Sequence, residues 1–332
     1  NNKMIKNLKL ILFFPFFLIE ILLFKVFKIK NSELSHQALI HLFTITHGYS
    51  NNIISKFLSS PKSVFSNASN IFKKKNFFNI DQKLSSDGYY MLQNKLPENS
   101  INNILEFLKK SEGKYISENY TSLKKEKLNI KNPKAVKFNY DTNDILNCGE
   151  IQKLITDEAL LQIAQNYLKA EPIIDYVTAY YSFPSLKADR EAAQYWHFDM
   201  DRPKFLKVFV YLTDCTSKNG PHSFIKGSHK TDTLPKKIIK QGYQRLEDTE
   251  INLYYKKSEI INFIGGRGTV LLEDTSGLHK GKNLLEGHRL IFMVQYSSCL
   301  FGSKSEKIKY PSNPTRELIK IKKKNPKVFL NF

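Results

Sequence analysis

Apolar residues crowd Leu10 to Phe24, LILFFPFFLIEILLF, and lysines bracket that run at Lys6 and Lys9 before it and Lys25, Lys28 and Lys30 behind. As one helix it extends about 22 Å, short of the ~30 Å hydrocarbon core, and Pro15 and Glu20 weaken a spanning role further. A secretory signal has this length and basic start, but the small-residue cleavage site is missing and positive charge follows at once. The pattern favours a helix that is buried or lies on a membrane surface over a span or a signal.

From Asn31 to about Ser85 the spacing is mostly helical, with His36, His41 and His47 at intervals that suit packing better than a site. A new unit opens at SSDGYYMLQNKLPENSINNILEFLKK. It predicts a turn at Asp87-Gly88, a strand over Tyr89 to Gln93, and a helix capped at Ser100 with Ile101, Ile104, Leu105 and Leu108 on one face. A second amphipathic helix is expected from Leu154 to Leu168. The texture then changes. IIDYVTAYYSF, FLKVFVYLTD, GTVLLED and RLIFMVQYSS are β-branched and aromatic-rich runs punctuated by Gly, Pro, Asn and Asp, which predicts a jelly-roll or sandwich-like β core. The resulting division is a hydrophobic segment 1–30, a helical extension 31–84, a main domain 85–305 and a basic tail 306–332.

Composition adds two constraints. The 332 residues carry a formal net charge of +20, which attracts phosphates, acidic polymers, thioesters or an anionic membrane face, although Lys, Asn and Ile are abundant throughout and the excess is partly compositional. From Lys304 to Phe332, eight lysines and one arginine face two glutamates, so a solvated, loosely ordered segment is expected there. Cys148, Cys215 and Cys299 form neither a C-x-x-C pair nor a disulfide framework, which makes a reducing cytoplasm the default compartment, with membrane association left to residues 10–24.

Candidate chemistry begins at AQYWHFDMDRPK. Residues two apart on an extended segment share a side, so His197 and Asp199 can converge on one ion while Phe198 faces away. Two histidines and a carboxylate with open positions opposite suit non-haem iron. GTVLLEDTSGLHKGKNLLEGHRLIFMVQY offers a strand, a turn at Asp274 to Gly277, then His279, and ten residues later Arg289 opening another strand. A hairpin of this kind would bring His279 to the metal and return Arg289 beside it. A guanidinium is the natural partner of a dicarboxylate's far end. His288 is a rival ligand whose side chain should point away from that of Arg289.

These pieces, together with KNGPHSFIKGSHK at Lys218 to Lys230, resemble the phytanoyl-CoA dioxygenase family over roughly Ser85 to Cys299. The resemblance implies a mainly β, α+β fold: a double-stranded β-helix, a cupin-like jelly roll, with flanking helices and the hydrophobic N-terminal extension added. It implies an Fe(II)- and 2-oxoglutarate-dependent dioxygenase that uses O2, releases succinate and CO2 and hydroxylates a C–H bond. His197, Asp199 and His279 become the iron ligands and Arg289 the anchor of the 2-oxoglutarate 5-carboxylate. Asp199 favours hydroxylation over halogenation, for which the related enzymes carry a small residue at this position. Gln194, Tyr180 and Ser182 are candidate cosubstrate contacts by position. His229 resembles a structural position, His222 is a substrate contact or a surface group, and Trp196 is expected to pack against the barrel wall.

The substrate is expected to be a small molecule, with the charge favouring an acyl-CoA or another anionic metabolite. Alternatives stay open: a cupin-like metalloenzyme using non-oxidative chemistry, or a non-catalytic membrane- or anion-binding jelly roll with a vestigial site. Nucleic-acid binding rests on charge alone and no motif supports it.

Overall fold

In the computed structural model, residues 2–66, 69, 71–72, 79–230, 232–241 and 243–332 are described, apart from the side chains of 2–12 and 240–241. Lys6, Lys9 and Leu10 to Leu12 of the N-terminal run therefore lie outside the described side chains. The helices are α1 Asn2–Phe27, α2 Glu33–Thr46, α3 Tyr49–Leu58, α4 Ile80–Asp87, α5 Glu98–Leu108, α6 Thr142–Ile145, α7 Gly149–Ile155, α8 Glu158–Leu168, α9 Lys236–Gln241, α10 Asp248–Ile251 and α11 Arg316–Lys324. The strands are β1 Tyr89–Met91, β2 Glu112–Ser117, β3 Tyr120–Thr121, β4 Glu126–Lys127, β5 Lys137–Tyr140, β6 Ile173–Ser182, β7 Phe205–Tyr211, β8 His222–Ile225, β9 Ile260–Phe263, β10 Val270–Glu273, β11 His279–Gly281 and β12 Arg289–Ser297.

Two antiparallel sheets make the jelly roll. The larger runs β1-β10-β7-β12-β6-β5-β2-β3, with β4 also on β2, and the smaller runs β11-β8-β9. Period-two alternation sorts the side chains. Along β7, Leu206, Val208 and Val210 join a core shared with Ile151, Leu154, Leu160 and Leu161 of the covering helices, whereas Phe209 and Tyr211 turn to the other face, towards Phe224 and Phe263 of the small sheet. The second face is the lumen of the roll. Charged and polar residues at lumen positions of these apolar strands therefore demand partners, which is where a site is built.

Several local expectations change. The helix at the start of the main domain begins at Glu98, with Pro97 rather than Ser100 at its N-cap, because proline has no N–H to lose at a helix start. The stretch Leu154 to Leu168 lies in two helices. Asp157 stops the first and caps the second, accepting from the backbone N–H groups of Ala159 and Leu160. The expected hairpin around His279 is instead a crossing between sheets: β10 lies in the large sheet, β11 in the small one, and β12 returns to the centre of the large one.

The loosely ordered tail is also corrected. Leu318 and Ile321 of α11, with Val328 and Phe329, are buried in the helix-covered core, while the lysines of α11 point outward. The sequence contained the signal in the i, i+3 spacing of Leu318 and Ile321, which the density of lysines obscured. At the other end, α1 buries Phe17, Ile21 and Phe24 against α2, α3 and Phe301, whose ring meets Phe17 and Phe24 edge-on. Glu20, the polar interruption in that run, accepts from the backbone N–H of Ser32 at 2.7 Å and ties α1 to the start of α2. No helix among the described residues is long and apolar enough to cross a membrane.

Candidate active site

His197 and His279 face each other as an isolated antiparallel pair, exchanging backbone hydrogen bonds of 3.0 and 2.8 Å. That pairing holds the H-x-D segment across the lumen mouth of β11. The segment's alternation is visible in its packing: Trp196, Phe198 and Met200 enter an apolar cluster with Ile225, Leu246 and Phe43 of α2, leaving His197 and Asp199 to the lumen. The backbone N–H of Asp199 donates to Thr275 O at 2.7 Å, tying the segment to the crossing between β10 and β11.

The three side chains converge, with their ligand atoms all within 4.8 Å of one another. His197 Nε2 lies 3.7 Å from Asp199 Oδ1, and His279 Nε2 lies 3.5 Å from Asp199 Oδ2. Nδ1 of His197 contacts Tyr195 O at 2.8 Å and Nδ1 of His279 contacts Gly277 O at 3.0 Å. A carbonyl only accepts, so each Nδ1 carries the hydrogen and donates it, and each Nε2 presents its lone pair towards Asp199. Burial lowers the pKa of both rings and keeps them neutral, the state a metal ligand needs.

Ser228 of the Gly-Ser-His turn positions this arrangement: its hydroxyl accepts from Leu278 N at 2.8 Å, one residue before His279. His229 contacts Ser85 O and stays outside the cluster, and His288 packs its ring on Tyr181. Trp196 is buried, donating from Nε1 to Asp248.

Asp199 has a second partner that the sequence reading missed. Lys207 Nζ donates to Asp199 Oδ2 at 2.5 Å, and the two side chains are only 11% and 13% exposed. Burial alone would raise the Asp199 pKa, but the Lys207 ammonium holds it well below the ordinary carboxylate value. The same carboxylate keeps Lys207 charged against its own desolvation. The signal was present in FLKVFVY, where alternation places a lone lysine in register with the lumen residues Phe209 and Tyr211.

His222 is no surface group. It is buried, its ring lies over that of His279 with centroids 5.4 Å apart, and its Nε2 meets Glu273 Oε1 at 2.9 Å. Burial pushes His222 down to about 3 and Glu273 up to about 8, so this pair sits under the metal cluster as a neutral hydrogen-bonded couple near pH 7.

Arg289 occupies one rung of the large sheet, opposite Ser182, which in turn stands opposite Lys137. The guanidinium is buried, and Nη2 donates to Ser182 Oγ at 3.3 Å. Its Nε and Nη1 are buried without a hydrogen-bond acceptor. Tyr180 lies on the same face of β6, and the Lys137 ammonium sits over its ring at 4.5 Å from the centroid. Burial and the charge of Arg289 push Lys137 down to about 8. Lys137 was not legible in sequence because β5 is a four-residue strand after an irregular stretch. Gln194 is buried near this region, but its Oε1 accepts from Asp189 N and shapes the preceding loop.

A buried guanidinium with unpartnered donors, flanked by a hydroxyl and a second cation, has the chemistry to accept a carboxylate. The donor set of two neutral imidazoles and one carboxylate fits Fe(II), and the Arg289 rung fits the far carboxylate of 2-oxoglutarate. Gly281 keeps that rung open, since a Cβ there would stand 3.2 Å from Arg289 Nη2. Gly281→Ala should displace the guanidinium and raise the KM for 2-oxoglutarate about tenfold, the effect of one weakened charged hydrogen bond. An unchanged KM would show that Arg289 does not serve that carboxylate.

The family model described as phytanoyl-CoA dioxygenase matches residues 84–284. No curated protein matches the chain significantly. Similar solved structures include HygX from Streptomyces hygroscopicus with nickel and 2-oxoglutarate bound, at 15% identity over 71% of this chain and 91% of that one, TM-score 0.49. EctD from S. alaskensis with 2-oxoglutarate and 5-hydroxyectoine is similar at 17% identity over 72% and 82%, TM-score 0.45. The family match spans more than half of the chain and contains the His-Asp-His cluster, so the protein belongs to the phytanoyl-CoA dioxygenase family and is an Fe(II)- and 2-oxoglutarate-dependent dioxygenase.

Proposed function

We propose that this dioxygenase hydroxylates a C–H bond of a small organic substrate, with His197, Asp199 and His279 as the iron ligands and Arg289 as the anchor of 2-oxoglutarate. The observation that carries the reading is the pairing of a buried three-ligand cluster with a buried arginine whose donors lack acceptors. A cupin-like hydrolase or isomerase would use the cluster but has no need of Arg289. Bound iron supplies dioxygen activation, with 2-oxoglutarate as the source of two electrons and succinate and CO2 as its products.

The chain's own residues do the rest. The carbonyls of Tyr195 and Gly277 fix the imidazole tautomers, and Lys207 holds Asp199 ionised and oriented. Arg289, Ser182 and Lys137 hold and align the cosubstrate in a site whose walls, Phe209, Tyr211 and Ile291, exclude water. Asp201 joins this interior to a cleft of about 390 Å³: its carboxylate stands 3.9 Å from Lys207 Nζ, and the cleft is also lined by Tyr176, Gln295, Lys304 and Lys307. We assign this cleft as the substrate entrance. Within the cleft Arg202, Lys304 and Lys307 are matched by Asp175, Asp201 and Glu306, so it is the chain's net charge of +20 that favours a substrate bearing an anionic group such as a carboxylate, phosphate or acyl thioester of CoA.

Incubation with Fe(II), 2-oxoglutarate and a panel of such metabolites under 18O2 tests the reaction type. One labelled oxygen in the product and one in succinate is expected. Product formed without label would replace hydroxylation by another oxidative outcome.

A further inference from the structure

A helix that is apolar on every side is normally covered on every side. Between Phe13 and Phe27 the only charged residues of α1 are Glu20, bound to the backbone of Ser32, and Lys25, whose ammonium donates to Phe57 O and lies 5.4 Å from the centre of that ring. One side of α1 is accounted for by the packing of Phe17, Ile21 and Phe24. The opposite side is not: Phe16, Leu18, Ile19, Leu22 and Val26 are 47–65% exposed and form an unbroken apolar stripe roughly 15 Å long. Such a stripe is far from the singly scattered apolar residues that ordinary surfaces tolerate.

Charge indicates what covers it. Residues 13–62, which hold α1 from Phe13 onward together with α2 and α3, contain five lysines and two glutamates, and Glu20 is already engaged. Lys28 and Lys30, which follow the stripe along the chain, and Lys56, beside the Phe57 that Lys25 touches, are exposed at its end. The inner side of the helix carrying the stripe is committed to the protein through Phe17, Ile21 and Phe24, so its outer side meets a bilayer sideways. We infer that the outer side of α1 docks in the plane of an anionic phospholipid surface, with its apolar stripe among the acyl chains and the surrounding lysines at the headgroups. This inference is independent of the iron chemistry. It places the oxygenase fold at a membrane face, where phospholipid or another amphiphile is concentrated.

Co-sedimentation of the full chain with phosphatidylcholine vesicles, with or without phosphatidylglycerol, tests it. The protein should pellet with the phosphatidylglycerol vesicles, much less with phosphatidylcholine alone, and be partly released by salt. A Leu22→Glu, Val26→Glu variant should bind about tenfold more weakly or worse. It should keep its circular dichroism and its Fe(II)-dependent 2-oxoglutarate turnover, since neither residue touches the site. Three results would overturn the inference: wild type staying in the supernatant with both vesicles, the variant binding as well as wild type, or a concentration-dependent dimer that the two substitutions dissolve. The last would make a second copy of the chain the partner.

Discussion

Asp199→Ala is expected to remove metal binding and 2-oxoglutarate turnover together, and to destabilise the fold as well. The first loss follows from the cluster, which has no second carboxylate within ligand distance among the described residues. The second follows from Lys207, whose ammonium would be left nearly buried and without its 2.5 Å partner. Breaking one side of a buried pair costs about 3–5 kcal/mol. A second substitution separates the two effects: Asp199→Ala combined with Lys207→Met removes the stranded charge and should recover most of the melting temperature while restoring neither metal affinity nor succinate formation. If the double variant forms succinate at the wild-type rate, Asp199 is not a ligand.

Arg289 should show its role in a different parameter. Arg289→Met is expected to raise the KM for 2-oxoglutarate on the order of 100-fold, since two charged hydrogen bonds are lost. Arg289→Lys keeps the charge but not the planar fork and should fall between, at about tenfold. Because Arg289 stands beside Ser182 and apart from the His-Asp-His cluster, metal affinity in the absence of 2-oxoglutarate should be unchanged in both variants. A matching loss of metal affinity would mean that the arginine supports the fold of the site and not its cosubstrate.

The parts of this architecture that were legible in the sequence are those governed by short-range periodicity. Strands β6, β7, β10 and β12 are long or strongly apolar; they are buried on both faces, and their alternation survives in which side chains join the helix-covered core and which the lumen. The H-x-D geometry follows from the same rule, because a two-residue step on extended backbone keeps His197 and Asp199 on one side whatever surrounds them. The crossing at Asp274 to Gly277 was not legible as such. Its local pattern of strand, turn and strand is shared by a hairpin, and only the pairing of β11 with β8, more than fifty residues earlier in the chain, distinguishes the two.

Lys207, Glu273 and Lys137 were missed for a related reason. Each is a charged residue on a strand, which reads as a solvent-facing position until the second sheet closes over it. The Lys207–Asp199 and His222–Glu273 contacts are products of that closure. The tail erred in the same direction: lysines dominated its composition, while two well-spaced apolar side chains decided where it packs.

The most direct test of the account is an anaerobic titration of the purified chain with Fe(II) and then 2-oxoglutarate, following the visible charge-transfer absorption of an iron-bound 2-oxoacid. The account predicts a band that saturates at one equivalent, is absent in Asp199→Ala and in His279→Ala, and needs far more 2-oxoglutarate in Arg289→Met. Iron that binds with no band in the wild type, or a band that persists in Asp199→Ala, would contradict the assignment of this cluster as the oxygenase site.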